Sequence, residues 1–119
     1  MISLEEAVVR KLKTSQHILS TVESCTGGLI AHLLTNVAGA SEVYFGSTIA
    51  YDNSLKLELG IDKKLLKEFG AVSPETAVAL SEKGLEKMQN CLHQEESYSL
   101  IKPRGLICIS TTGIAGPGG

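Results

Sequence analysis

The sequence predicts an α/β domain of three layers, helix on sheet on helix, with a mixed or mostly parallel sheet. Three observations carry that prediction. Helical and strand-like patterns alternate along the chain, as they do in layered α/β folds. The run Gly-Leu-Ile-Cys-Ile-Ser at 105–110 is continuously apolar in its middle, the pattern of a central strand covered on both faces. Two Gly-rich turns, Glu-Ser-Cys-Thr-Gly-Gly at 23–28 and Thr-Gly-Ile-Ala-Gly-Pro at 112–117, each follow an apolar strand-like run. Such turns bring side chains and free backbone N–H groups into one space.

The elements follow in order. Ser3-Leu4-Glu5-Glu6 is a capping box, and Leu4, Ala7, Val8 and Leu12 share a helical face, so a helix is expected over 4–12. A short strand is expected over 17–22, with Ile18, Leu19 and Val22 as its apolar residues. After Gly28, the spacing of Leu29, Ile30, Leu33, Leu34 and Val37 is that of an amphipathic helix. Ser41 starts a short turn. The β-branched and aromatic stretch 43–51 reads as the second strand, with Gly46 marking a bulge.

Asp52-Asn53-Ser54 caps a single helical turn that runs to Gly60. Asp62 caps another short helix that ends at Phe69 and Gly70. Ser73-Pro74-Glu75 places a cap, a proline and an acid in the order a helix start requires. Ala77, Leu80, Gly84, Leu85, Met88 and Leu92 then form one face of a long helix. The polar stretch 93–104 is expected to be an exposed loop before the last strand, 105–110.

Composition excludes several function classes. With 119 residues and 43% hydrophobic content, the chain is expected to form a single domain over 1–119. The net charge of −2, with acids and bases mixed along the chain, offers no basic footprint for nucleic acid or anionic lipid. The chain has no Trp, which leaves little from which to build a base-stacking platform. No apolar run has the length of a membrane span, and the first ten residues lack the pattern of a signal peptide. Cys25, Cys91 and Cys108 are an odd set with no C-x-x-C pair. No disulfide framework, metal site or cofactor is expected, and the expected location is the cytoplasm.

Within the first Gly-rich turn, Ser24 is a candidate nucleophile that needs a proton acceptor. Cys25 is a rival, although a small buried Cys more often serves packing. None of the three histidines is well placed to serve Ser24. Lys56 is the better candidate, because a desolvated lysine has a depressed pKa and can act as a base. Tyr51, five residues earlier, can relay or orient the proton, and the sequence leaves open which of the two is the immediate base. Gly27, Gly28 and the loop from Gly113 to Gly119 supply N–H groups for an oxyanion or a phosphate. Glu23 either holds a ribose hydroxyl or orients the Ser24 loop.

Four blocks in order, Glu-Ser-Cys-Thr-Gly-Gly at 23–28, Tyr-Asp-Asn-Ser-Leu-Lys at 51–56, Gly-Ala-Val-Ser at 70–73 and Thr-Gly-Ile-Ala-Gly-Pro at 112–117, resemble the C-terminal domain of the competence/damage-inducible CinA family. The resemblance implies a nicotinamide-nucleotide amidohydrolase. Such an enzyme hydrolyses the carboxamide of nicotinamide mononucleotide to nicotinate mononucleotide and ammonia. By this resemblance Ser24 is the nucleophile, and Tyr51, Lys56 and Thr112 complete the catalytic set. Glu23, Thr26, Gly27, Gly28, Asn53, Gly113 and Gly116 are the expected substrate-binding residues.

The resemblance also implies a nucleotide as small-molecule partner, a homo-oligomer, and no nucleic-acid or membrane partner. Family domains continue past the last block with further sheet and a helix, so the chain is expected to lack its last strand or strands and helix. The stretch 89–104 is longer than the family's usual link at that point. The alternative reading is a non-catalytic nucleotide-binding module or a competence- or damage-related interaction module.

Overall fold

The computed structural model describes residues 1–93, 101–114, 116 and 117. Its elements in chain order are α1 (Leu4–Ser15), β1 (His17–Glu23), α2 (Leu29–Thr35), a 3₁₀ turn (Ala40–Glu42), β2 (Tyr44–Ile49), α3 (Asn53–Leu59), α4 (Lys63–Phe69), α5 (Pro74–Leu92) and β3 (Gly105–Ser110). Most of the expected 93–104 loop lies outside the described residues.

The three described strands form one parallel sheet in the order β2-β1-β3. The three-layer expectation holds, because alternate residues of β1 serve different layers. Leu19 packs with Val9 and Leu12 of α1 and Leu34 of α2. Val22 packs with Leu80 of α5 and with Ile61. Gly84 lets α5 approach closely on that side: a Cβ there would lie 2.4 Å from Cys108 Sγ and 2.5 Å from Val22 Cγ2.

The strand expected to be central is 105–110; among the described residues the middle strand is β1, buried along nearly its whole length. β3 pairs only with β1 among the described residues. Ile107 is 38% exposed and Ile109 49% exposed, because the α1 and α2 layer does not reach over them. An unbroken apolar run reports low polarity and cannot by itself say which strand is central.

Smaller differences concern element ends. α1 continues to Ser15 and is closed by Gln16 in a left-handed conformation, whose N–H donates to Leu12 O and Lys13 O. Its buried residues are Val9 and Leu12, while Leu4 at the first turn is exposed. α3 is longer than one turn, and Asp52 is its N-cap, accepting from the Ser54 N–H. The bulge expected at Gly46 is present: the β1–β2 register shifts between Leu19 and Ser20, and Gly46 has φ +144°.

Candidate functional site

The strand order itself locates the site. From β1 the chain passes through α2 to β2 on one side, then through α3, α4 and α5 to β3 on the other. Connections that leave neighbouring parallel strands in opposite directions open a crevice at the strands' carboxyl ends. Here those ends are Glu23 of β1, followed by Ser24, and Ser110 of β3, followed by Thr111 and Thr112. Both Gly-rich turns therefore meet at one place.

Gly27 and Gly28 have φ values of +59° and +98°, the left-handed region that favours glycine. A Cβ on Gly28 would also lie 2.9 Å from Ile49 Cδ1. This tight turn starts α2, whose N-cap, Gly28, brings no side chain to satisfy the first N–H groups. Glu23 does so instead. Its Oε1 accepts from the Gly28 N–H at 3.1 Å, the Ile30 N–H at 3.0 Å and the Thr26 hydroxyl at 2.8 Å. Its Oε2 accepts from the Ala31 N–H at 3.0 Å and the Thr21 hydroxyl at 3.2 Å.

Burial, the largest single influence on this carboxyl, pushes its pKa up. The hydrogen bonds from Thr26, Ala31, Ile30 and Thr21 outweigh that and hold it below the usual carboxylate range. With 0% exposure and both oxygens engaged, Glu23 orients the Ser24 loop and has no acceptor left for a ribose. These contacts are the ones that orienting the Ser24 loop requires.

Lys56 projects inward from α3 and is 1% exposed. Its Nζ donates to the carbonyls of Ala50 and Tyr51, each at 2.8 Å, and lies 3.1 Å from Ser24 Oγ. No carboxylate among the described residues forms an ion pair with it. Burial lowers its pKa from the ordinary 10.5, opposed more weakly by the nearby Asp52 and Cys25. All three contacts are donations from Nζ, to Ala50 O, Tyr51 O and Ser24 Oγ. An amine that loses one proton and keeps both carbonyls would turn its lone pair to the Ser24 hydroxyl.

Other expected site residues are placed differently. Tyr51 meets Lys56 through its carbonyl, while its side chain is 65% exposed. Ser24 Oγ and Lys56 Nζ meet directly, with no phenol between them. Thr112 donates to Ala71 O at 2.6 Å, tying the second turn to the segment between α4 and α5 instead of reaching Ser24. Asn53 is exposed at the start of α3. The Gly27 N–H donates to Ser24 O at 3.1 Å, so neither it nor the Gly28 N–H is free for a ligand. Gly113 packs against the first turn, where a Cβ would lie 3.2 Å from Cys25 Sγ. A Cβ on Gly116 would meet nothing within 4 Å.

One site residue went unread in the sequence. The Thr111 hydroxyl lies 2.9 Å from Thr26 Oγ1 and accepts from the Ser24 N–H at 3.4 Å. Its own N–H donates to Val22 O at 2.9 Å, extending the β1–β3 ladder past Ser110. The only sequence signal was a second hydroxyl beside Thr112.

Comparison with known proteins follows the same blocks. A family profile described as the CinA C-terminal domain matches residues 1–92. The chain is 43% identical over 117 residues to a CinA-like protein of Thermotoga maritima, covering 98% of this chain and 25% of that protein. It is 44% identical over 119 residues to a CinA-like protein of Kosmotoga olearia, with coverage of 98% and 25%. The chain thus spans about a quarter of the length of these relatives. Among solved structures, the competence/damage inducible protein CihA of Agrobacterium tumefaciens matches with a TM-score of 0.75 and 35% identity, over 99% of this chain and 68% of that one. A CinA superfamily protein of Klebsiella pneumoniae matches with a TM-score of 0.79 and 25% identity, over 96% and 62%.

Proposed function

Because the chain belongs to the CinA C-terminal domain family, we propose that its crevice is the active site of a serine amidohydrolase that converts nicotinamide mononucleotide to nicotinate mononucleotide and ammonia. One observation carries the catalytic part of this reading. A buried lysine with no acidic partner among the described residues sits 3.1 Å from the hydroxyl of Ser24, at the sheet's switch point. A lysine in a surface role would not be held there by two carbonyls.

In the proposed reaction, neutral Lys56 accepts the Ser24 proton as Oγ attacks the amide carbon. The tetrahedral oxyanion lies toward the backbone N–H of Cys25, the residue after the nucleophile. That group has no acceptor among the described residues, whereas those of Gly27 and Gly28 are engaged. Protonated Lys56 returns its proton to the departing ammonia, and water then releases the acid from Ser24. The first turn's rigidity, fixed by Glu23, keeps this geometry ready before substrate arrives.

The test is ammonia release from nicotinamide mononucleotide by this chain and by its Ser24→Ala form. Release by the first, reduced to background in the second, is the expected result. Turnover retained by Ser24→Ala removes the serine mechanism. Stabilisation of the chain by the nucleotide without ammonia supports a nucleotide-binding module instead.

A further inference from the structure

The buried polar contacts around Glu23 have only one consistent set of hydrogen positions. The Thr26 hydroxyl has a single hydrogen, and that hydrogen donates to Glu23 Oε1. Thr26 Oγ1 can then only accept from its other neighbour, so the Thr111 hydroxyl donates to it. Thr111 Oγ1, its hydrogen committed, turns a lone pair to the Ser24 N–H. A second chain ends on the other oxygen of the same carboxylate. Tyr44 donates to Ser47, Ser47 to Thr21, and Thr21 to Glu23 Oε2. An ionised carboxylate only accepts, so it sets the direction of both chains.

We propose that Thr111 is a positioning residue for the nucleophile: its hydroxyl, oriented by Glu23 through Thr26, holds the main chain of Ser24 so that Oγ faces Lys56 Nζ. The inference rests on the proposed role of Ser24. Thr111 touches neither substrate nor the reacting atoms, and it acts through the Ser24 amide. It suits the task because it is fixed on both sides. Its N–H is anchored to Val22 O in the ladder, and its side chain is anchored to the Glu23 network. Without the hydroxyl, the Ser24 N–H loses its acceptor among the described residues. The peptide before Ser24 can then rotate and carry Oγ away from Lys56 Nζ. A displacement of that kind, about 1 Å, costs roughly a hundredfold when a reacting group is misplaced.

The experiment compares the wild type with Thr111→Val, which keeps the shape and removes the hydroxyl, and Thr111→Ser, which restores the hydroxyl on a smaller frame. Two rates are read. One is kcat and KM for ammonia release from nicotinamide mononucleotide. The other is phosphonylation of Ser24 by a fluorophosphonate, in which the P–F bond breaks, the P–Oγ bond forms, fluoride leaves and Lys56 takes the serine proton. The second rate needs no amidase activity.

For Thr111→Val, kcat and the phosphonylation rate are expected to fall about tenfold or more, with KM within about twofold of wild type. The pH midpoint of both rates should stay where it is, because Lys56 is untouched. Thr111→Ser should recover most of the loss. Should Thr111→Val fail to fold, as judged by circular dichroism and thermal melting, Thr111→Ala is read against Thr111→Ser with the same expectation.

Phosphonylation of the hydroxyl-free variant at the wild-type rate overturns the proposal. So does a Thr111→Ser form as slow as the hydroxyl-free one, since shape and not the hydroxyl would then matter. A wild type whose Ser24 does not react at all also overturns it, because there is then no activated nucleophile to position. A wild type that is phosphonylated but releases no ammonia refutes the amidohydrolase reading alone. Thr111 is then judged on the phosphonylation rates.

Discussion

Glu23→Gln is nearly isosteric, yet it should be among the most costly single changes in the domain. The carboxylate receives three donors on Oε1 and two on Oε2, and it is fully buried. Glutamine can offer its carbonyl oxygen to the first three. Its NH2 group then faces the Ala31 N–H, donor against donor, and the Thr21 hydroxyl must reverse. Losing a hydrogen bond to a charged acceptor costs about 1.5–3 kcal/mol, and leaving the Ala31 N–H without an acceptor adds about 1–3 kcal/mol. The conservative sum is about 3 kcal/mol, or roughly 10 °C in Tm for a domain of this size.

Urea unfolding followed by circular dichroism measures the loss, provided the transition is two-state. The pH dependence gives an independent check. The folded pKa of Glu23 lies below its ordinary 4.5. Its stabilisation is therefore complete above that ordinary value and is lost as pH falls through the lower folded value. The stability gap between wild type and Glu23→Gln should close on acidification through that window. A gap under about 1 kcal/mol at neutral pH, or one that stays constant on acidification, would refute the account of Glu23 as an ionised hub.

Two further predictions concern the base and the packing. Lys56→Met should abolish ammonia release while leaving the chain folded, since it replaces a buried amine with an apolar group of similar length. In the wild type, burial lowers the Lys56 pKa, so activity should rise with pH through a midpoint below the ordinary lysine value of 10.5; a flat profile would remove Lys56 as the base. Gly84→Ala should destabilise by about 1–3 kcal/mol in the same urea assay, although alanine favours helices, because its Cβ would lie 2.4 Å from Cys108 Sγ. A gain in stability would show that α5 can move away from the sheet at little cost.

Much of this arrangement was legible in the sequence, for identifiable reasons. Ser73-Pro74 started α5, Gly46 marked a bulge and Gly27-Gly28 marked a turn into a helix, because each depends on local backbone chemistry. Ser24 and Lys56 were readable as a pair because a nucleophile and a base are both required. What stayed illegible depends on partners distant in the chain. Whether Glu23 binds a ligand or caps a helix depends on where five donors end up. Thr111 and Thr112 are chemically identical neighbours pointing to different partners, and only the β1–β3 register shows which one meets the nucleophile loop. The centrality of β1 over β3 is likewise a property of pairing, which an apolar run does not encode.

The position of β1 has a consequence for time as well as space. The strand at the middle of the sheet comes early in the chain, and the partner that anchors its carboxyl end comes 87 residues later, as the contact from Ser24 to Thr111 shows. A polypeptide emerging from the ribosome can pair β1 with β2 long before β3 exists, and two strands alone are marginal. Ser24 and Lys56 are then both present while the Ser24 N–H still lacks its acceptor, Thr111 Oγ1. Closing so long a loop is slow. The proposed nucleophile and base therefore gain their last main-chain anchor in one late step, when β3 docks.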